Sequence, residues 1–356
     1  MKNHILSIAI TLTLFMATAF STNAATLIVN SSADNNTTGT LRQRINQAAS
    51  GDTIIFADGI NNITLNGTHL TITKNLTIKG RSPDDKITIN ANQRSRIFFV
   101  TGSNRIFNIE NLVLTNGRLT ATWISMNSNE RDGGAVFFHG ASSIMTTNTT
   151  GTLTATNCNF TNCSAVGVGG AVIFNGTNMI VQGCNFIENR SIGCSGAIYL
   201  ASGNLVTINS NFHKNQAGTL GATLHITYIY VAINCTFTDN YSPDNNEGTI
   251  HCYDANARVY LYHCTFDKNS VMGTNKTRGQ YYSYNCIYTQ ESPIVTDGKN
   301  LIEGSTLHKN ALANRNLIFG NNTTSPEGYI IPLSYAVGAE QLTSFIFPGP
   351  SNTILS

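Results

Sequence analysis

The chain has 356 residues, of which 41% are hydrophobic and only 11% are charged, and its formal net charge is +2. Its Lys and Arg residues are scattered along the sequence, so the composition predicts no nucleic-acid partner and no other polyelectrolyte partner. The length alone would suggest two domains, but repeat proteins often exceed that size as a single body.

Residues 1–24 have the pattern of a secretory signal peptide. Lys2 supplies a positive start, the stretch from Ile5 to Phe20 is apolar, and Thr22-Asn23-Ala24 is a suitable cleavage site. An uncleaved membrane anchor is the alternative, but Ser and Thr residues within the stretch weaken it as a permanent span. We therefore expect an exported protein, secreted or at the cell surface in association with the outer membrane, with no transmembrane span after signal removal.

A short amphipathic helix is predicted at residues 40–49. Thr40 and Gln43 form a capping box, and Leu41, Ile45 and Ala48 share one apolar face. Such a helix can cover the open apolar end of a stack of strands and block edge-to-edge pairing there.

Short strands with alternating apolar residues follow in residues 61–116. Residues 118–130 are polar and aperiodic, and they contain the only tryptophan, Trp123. We expect a loop there, and because loops on a rigid scaffold often carry binding residues, Trp123 is a candidate contact residue. A Trp123 side chain folded back onto the strands is the alternative.

The part of the chain from residue 152 to residue 288 repeats itself. A phrase such as Cys-Asn-Phe occurs five times, with phenylalanines 26, 26, 25 and 29 residues apart, and in four copies an asparagine follows three residues later. The phenylalanines are Phe160, Phe186, Phe212, Phe237 and Phe266, and the asparagines are Asn189, Asn215, Asn240 and Asn269. This period is typical of repeat architectures, whose copies must stack because none can bury a core alone.

Each copy is predicted to be one coil of a β-solenoid, because β-branched and aromatic residues alternate and no long helical period interrupts them. Equivalent residues of stacked coils then lie about 4.8 Å apart. The phenylalanines should form an inward stack, and the asparagines should form a ladder at the turn just past the strand.

A second phrase, Gly-Gly-Ala or a variant of it, lies between the phenylalanines and predicts a tight corner without side chains. Gly170 and Gly196 are its central residues in two copies, and Leu220-Gly221-Ala222 is aligned as the fourth copy.

Eight cysteines in an exported chain suggest disulfides. Four of them lie two residues before a repeat phenylalanine and so share its strand face. In the third copy Ser210 takes the place of the cysteine. Neighbouring coils are close enough for a disulfide, but a buried column of free thiols is equally workable, and both alternatives stay open. The four column cysteines are Cys158, Cys184, Cys235 and Cys264, and those placed outside the column are Cys163, Cys194, Cys252 and Cys286.

The interleaved FxxN and GGA[ILV] phrases, as in Gly169–Val172, Phe186–Asn189 and Phe212–Asn215, resemble the repeats of chlamydial polymorphic outer-membrane proteins. They are also similar to repeats of other right-handed, pectate-lyase-like parallel β-helix passenger domains. The resemblance covers about half of the chain, and it implies a surface-exposed or secreted β-helix with a role in adhesion.

The period blurs after Asp267, where Tyr281 and Tyr282 are predicted to be exposed on irregular coils and are further candidates for ligand contact. Residues 25–298 are therefore assigned to a right-handed parallel β-helix with its N-terminal cap, and residues 299–356 to a C-terminal cap or tail.

Enzymatic alternatives exist because β-helices include polysaccharide lyases and glycoside hydrolases. A glycosidase needs paired carboxylates, and a lyase needs a carboxylate cluster for calcium as well as a base, yet the chain has only 19 Asp and Glu residues. The best small cluster is Asp132 beside Glu130 and Arg131, and we expect Asp132 to be an exposed loop charge.

Two His-Cys dipeptides suggest a zinc site, but adjacent strand residues point to opposite faces, so each dipeptide offers one ligand. His225 and His251 are expected to be surface residues. We therefore predict no metal, no cofactor and no catalytic residue.

The sequence as a whole predicts an all-β right-handed parallel β-helix that acts as a non-catalytic, adhesin-like binding module for a host or matrix glycan or protein. The alternative is a polysaccharide lyase or glycoside hydrolase that acts on extracellular glycans. Carboxylates that converge in a groove would favour the enzyme, whereas a bare face of Thr, Asn and Tyr would favour binding. The oligomeric state is not predicted.

Overall fold

A computed structural model describes residues 24–119, 131–140, 150–243, 248–269 and 279–288, together with the backbone of short strands between residues 300 and 332. The predicted signal peptide, apart from Ala24, lies outside the described residues, as do Trp123 and most of the predicted tail.

One helix, α1 (Leu41–Gln47), covers the first coil. The Thr40 hydroxyl accepts a hydrogen bond from the backbone N–H of Gln43 at 3.3 Å, and the Gln43 side chain accepts one from the N–H of Gly39 at 3.3 Å. Leu41 and Ile45 are buried against the core. No helix in the described part of the chain is long and apolar enough to cross a membrane.

All other described elements are strands. Those before the repeat are β1 (Thr26–Val29), β2 (Thr53–Phe56), β3 (Asn62–Thr64), β4 (Leu70–Ile72), β5 (Leu76–Lys79), β6 (Ile87–Asn90), β7 (Phe98–Thr101), β8 (Arg105–Glu110), β9 (Leu112–Thr115) and β10 (Val136–His139). Those of the first repeats are β11 (Gly151–Thr156), β12 (Asn159–Thr161), β13 (Ser164–Ala165), β14 (Val172–Gln182), β15 (Asn185–Ile187), β16 (Arg190–Ser191), β17 (Ile198–Ile208), β18 (Asn211–His213), β19 (Gln216–Ala217), β20 (Leu224–Ile226), β21 (Ile229–Ile233) and β22 (Thr236–Thr238). The last are β23 (Ile250–Cys252), β24 (Arg258–Tyr262), β25 (Thr265–Asp267), β26 (Gln280–Tyr284), β27 (Ile287–Tyr288), β28 (Asn300–Glu303), β29 (Thr306–His308), β30 (Leu317–Phe319), β31 (Asn322–Thr324) and β32 (Tyr329–Pro332).

The strands stack into three sheets that run along the molecule. The long sheet has 17 strands, the phenylalanine sheet has 12 strands and carries the repeat phenylalanines, and the short sheet consists of β13, β16 and β19. The described strands pair in parallel, except where β32 meets β29 and β31. They wind through about nine turns of a right-handed parallel β-helix, so the predicted fold class is confirmed.

Stacked aromatic rings fill the inside of the phenylalanine sheet. Phe160, Phe186, Phe212, Phe237 and Phe266 lie in register on successive coils. Neighbouring ring centroids are 4.5–4.9 Å apart, with interplanar angles of 2–9°. All five side chains are fully buried, so the rings exclude water from the centre of each coil. An aromatic pair adds about 0.5–1.5 kcal/mol beyond its buried area, and this contribution recurs at each of the four neighbouring phenylalanine pairs.

A ladder of buried asparagine side chains follows the phenylalanines. The Asn189 amide donates to the carbonyl of Phe160 at 2.9 Å and to Oδ1 of Asn215 at 3.0 Å, and the same pair of bonds recurs at Asn215 and Asn240. Oδ1 of each of the four asparagines Asn189, Asn215, Asn240 and Asn269 also accepts a hydrogen bond from the backbone N–H of the equivalent residue in the preceding coil. The side chains thus satisfy backbone groups that would otherwise be buried without partners at the bend.

A column of cysteine side chains runs beside the phenylalanines. Cys158, Cys184, Cys235 and Cys264 are buried and have free thiols. Cys286 was expected outside this column, but its Sγ lies 3.3 Å from the backbone nitrogen of Cys264, so that expectation was wrong. The repeat phrase does not reveal this last copy, because Tyr288 stands where the other copies have phenylalanine.

The glycine phrase forms the corner that enters the long sheet. A Cβ atom on Gly170 or Gly196 would lie 2.2 Å or 2.5 Å from a backbone carbonyl oxygen of the next coil, so a side chain would push the coils apart. One alignment was wrong by a residue: Ile198 pairs with Leu224, which places Gly221-Ala222-Thr223, and not Leu220-Gly221-Ala222, beside Ser195-Gly196-Ala197. Ser195 and Gly221 both have positive φ, at 64° and 66°.

The coil after Asp267 is more regular than the sequence suggests. β26 pairs with β24 over five residues, and Tyr281 is buried with its hydroxyl donating to the carbonyl of Ile250 at 2.6 Å. Parallel pairing continues beyond residue 298 through β28, β29 and β30.

We predict that Asn215→Ala lowers the free energy of unfolding by at least about 3 kcal/mol. The substitution removes the partner of the Phe186 carbonyl and the acceptor of two Asn189 donors, and each buried polar group left without a partner costs about 1–3 kcal/mol. Urea denaturation followed by circular dichroism measures the loss. The matched control is Asn185→Ala, which breaks a partly buried outer bond to Asn159 and should cost less than about 1 kcal/mol. Equal losses in the two variants would contradict the prediction.

Candidate functional site

An aromatic surface covers the outer side of the long sheet near its C-terminal end. In β24 and β26 the alternate residues Val259, Leu261, Tyr281 and Ser283 are buried, so the intervening tyrosines point outward. Strand pairing places them side by side in two rows, with ring centroids 4.9 Å and 5.1 Å apart. The rows are Tyr260 with Tyr282 and Tyr262 with Tyr284.

Two more tyrosines extend this surface at the neighbouring corner. Tyr228 is 52% exposed and Tyr253 is 63% exposed, and Ile229 beside them is 40% exposed. The carbonyl of Tyr228 accepts the backbone N–H of Arg258 at 2.8 Å, which fixes this corner to the start of β24. We call Tyr228, Tyr253 and the four tyrosines of the two rows the tyrosine surface. The four row tyrosines are partly exposed, so the surface combines two exposed aromatic side chains with four that offer part of their rings, and grouped apolar atoms at a protein surface can mark an interaction site.

The hydroxyl groups of Tyr260 and Tyr262, one in each row, remain protonated at physiological pH. Burial, followed by the charge of the neighbouring tyrosine, raises the pKa of Tyr260 and of Tyr262 above the ordinary value. The Tyr282 hydroxyl donates to Oε1 of Gln280 at 2.6 Å. The surface therefore offers apolar ring atoms together with hydroxyl groups that can donate and accept, which suits both sugars and protein surfaces.

The candidate contact residues from the sequence have three different outcomes. Tyr282 belongs to the tyrosine surface. Tyr281 had been predicted to be exposed, and this was wrong, because strand alternation turns it into the core, where it is 3% exposed. Trp123 lies outside the described residues. The sequence analysis did not find the other three row tyrosines. The signal for them is the match of Tyr260-Leu261-Tyr262 with Tyr282-Ser283-Tyr284, which predicts that β24 pairs with β26.

A concave region, separate from the tyrosine surface, lies where the phenylalanine sheet bends into the short sheet. We call it the coil cleft; its volume is about 720 Å³. It is lined by Gln93, Asn116, Arg118, Leu119, Asn162, Cys163, Ser164, Ala165, Val166, Glu188, Arg190 and Ile192. Glu188 is the single carboxylate among these described lining residues, so they do not supply the carboxylate pair that glycoside hydrolysis needs.

Asp132 is a structural residue and not the exposed loop charge that was expected. It is 4% exposed, and its Oδ1 accepts the backbone N–H of Val168 at 2.9 Å. Burial raises the pKa of the Asp132 carboxyl. The buried Arg96 donates to the backbone carbonyl of Asp132 at 2.7 Å. Within the described ranges, no group of three or more His, Cys, Asp or Glu residues could hold a metal ion.

The expectation that His225 and His251 lie at the surface was also wrong. They are in register on β20 and β23 and only 2% and 3% exposed. Their ring centroids are 5.0 Å apart, and Tyr199 stacks on the other face of His225 at 4.5 Å. Burial, together with the charge of His251, lowers the pKa of His225 to about 3. His225 is therefore a neutral packing residue at physiological pH.

Comparison with protein-family models found none that matches this chain, and comparison with curated proteins found no match either.

We predict that acid destabilises the protein through His225. Its pKa is about 3 in the folded state and 6.5 in the unfolded state, so between these values the unfolded chain binds the additional proton. The stabilisation is present above pH 6.5 and is lost as the pH falls. From pH 7 to pH 5 this one group should lower the free energy of unfolding by about 2 kcal/mol.

Urea denaturation at a series of pH values tests this, with His225→Phe as the variant. Phe keeps a ring between Tyr199 and His251. In this variant the free energy of unfolding should therefore fall by about 2 kcal/mol less than in the wild type between pH 7 and pH 5. An unaltered pH profile in His225→Phe would refute the prediction.

The burial of the cysteine side chains predicts a low thiol reactivity in the folded protein. Seven of the eight cysteines are buried and only Cys194 is partly exposed, and burial raises the pKa of both Cys163 and Cys252 to about 12. Because the thiolate is the reactive form, Ellman's reagent should modify Cys194 alone in the native protein and all eight thiols after unfolding without reductant. Fewer than eight in the unfolded protein would show that neighbouring coils are joined by disulfides.

Proposed function

We propose that the protein is an exported, adhesin-like β-helix module, secreted or associated with the outer membrane at the cell surface, that binds a host or matrix glycan or protein without cleaving it. The tyrosine surface is the observation that carries this proposal. Export rests on the signal-peptide pattern of residues 1–24, and the adhesive role draws on the resemblance of the interleaved phrases to chlamydial polymorphic proteins.

The scaffold supports binding because it holds the tyrosines in fixed positions before a ligand arrives. The two rows are set by the pairing of β24 with β26, and their rings already stack on each other. A tyrosine side chain has few rotatable bonds, so it supplies a large contact area at a low cost in conformational entropy. A ligand that lies across the rows would therefore meet a preorganised surface.

The chemistry of the described residues favours binding over cleavage. Asp132 is buried and bonded to backbone, and the coil cleft has the one lining carboxylate Glu188. A hydrolase would need a second carboxylate opposite the first, and a lyase would need carboxylates that gather around calcium.

A glycan array and a screen for polysaccharide cleavage together test the proposal. The purified protein should bind at least one ligand on the array or an extracellular-matrix protein, and it should release no fragments from polyuronates or other glycans. The double variant Tyr228→Ala/Tyr253→Ala should bind that ligand at least about tenfold more weakly, because tyrosine is enriched among the few interface residues whose truncation costs more than about 1 kcal/mol.

Tyr241→Ala is the matched control, since Tyr241 is 48% exposed but lies beside Gln216 of the short sheet and not on the tyrosine surface. It should leave the affinity unchanged. Fragment release by the wild-type protein, or equal loss of binding in the control, would overturn the proposal.

A further inference from the structure

We propose that the coil cleft is a second binding site, separate from the tyrosine surface, and that it takes a linear acidic glycan lying along the axis of the β-helix. Two arginines and an apolar wall carry this inference. It does not depend on the function proposed for the tyrosine surface, because the two regions lie on different sheets and share no residue.

The fold aligns Arg118 and Arg190, which are far apart in the sequence. Arg118 pairs with Ser164 of the next coil, and Ser164 pairs with Arg190 of the coil after that. The two arginines are therefore two coils apart in one column, a distance of about 10 Å. A chain of sugars that follows the axis would pass both guanidinium groups.

Both arginine side chains are exposed and available for an anion. Arg118 donates to Oε1 of Gln93 at 3.3 Å and forms no ion pair with any described residue. The Arg190 side chain has no hydrogen bond or ion pair among the described residues. Guanidinium groups match the geometry of carboxylate and sulfate groups because they can donate two parallel hydrogen bonds.

The rest of the lining suits a sugar ring. Leu119, Val166 and Ile192 provide apolar atoms for the C–H face of a ring, and the Ile192 side chain is 48% exposed and so accessible to a ligand. Asn116 and Asn162 offer amide groups at the cleft for sugar hydroxyls. Glu188 is the one opposing charge in the lining, so the two arginines leave the described lining with a net positive charge.

Two acidic probes and one neutral probe test the site. Heparin presents sulfate groups, polygalacturonate presents carboxylate groups, and dextran is uncharged. Calorimetry or affinity chromatography should show binding of at least one acidic probe, weakened by added salt because ion pairs contribute, and no binding of dextran. Preference for heparin or for polygalacturonate identifies the anionic group that the cleft accepts.

The double variant Arg118→Gln/Arg190→Gln should bind the acidic probe at least about tenfold more weakly. The control Lys79→Gln/Arg105→Gln removes the same charge from β5 and β8 of the long sheet and should bind like the wild type. Thermal unfolding verifies that both variants are folded. Equal weakening in the two variants, equal binding of dextran, or failure of the wild type to bind either acidic probe would overturn the inference.

Discussion

Buried asparagine side chains hold the coils of this β-helix in register. At the bend after the phenylalanine sheet one residue of each coil adopts the left-handed backbone conformation. The φ values are 55°, 53°, 55° and 52° at Glu188, Lys214, Asp239 and Lys268. This bend interrupts the hydrogen bonds between the backbones of neighbouring coils. The asparagine that follows each of these residues replaces them, because its side-chain amide is hydrogen-bonded to the asparagine of the neighbouring coil. Since an unsatisfied buried group costs about 1–3 kcal/mol, a shift of one residue between coils would be strongly unfavourable.

This fixed register decides what the outside of the molecule presents. Residues that share a position in the coil become a column about 4.8 Å apart, whatever separates them in the sequence. The tyrosine rows and the pair formed by Arg118 and Arg190 are both consequences of this geometry. The inside and the outside are thus coupled, because the ladder that satisfies the backbone also sets the spacing of the groups that a ligand would meet.

Part of the outer side is covered by the protein itself. The guanidinium of Arg96 lies 5.4 Å and 5.0 Å from the ring centroids of Phe99 and Phe137, which point outward from the long sheet. The corner at Asp132 closes over this layer through the hydrogen bond from Arg96 to the Asp132 carbonyl. This second packed layer buries polar residues such as Asp132 and His225, and strand alternation alone would have placed His225 in solvent.

The sequence by itself determined the period, the inward phenylalanine and asparagine columns and the fold class, because these depend on a residue pattern that recurs within each coil. It did not determine which outward residues are covered. Tyr281 and Tyr282 are adjacent in the sequence, yet one enters the core and the other faces outward, and this depends on how β26 pairs with β24.

Only the tertiary structure aligned Arg118 with Ser164 and Arg190, since Arg118 lies outside residues 152–288, the part of the chain in which the sequence repeats. It also decided that His225 and Asp132 are buried, because the layer that covers them comes from corners of other coils. The local pattern of a chain specifies one coil, whereas the faces of the stack arise from contacts between coils, which no single repeat contains.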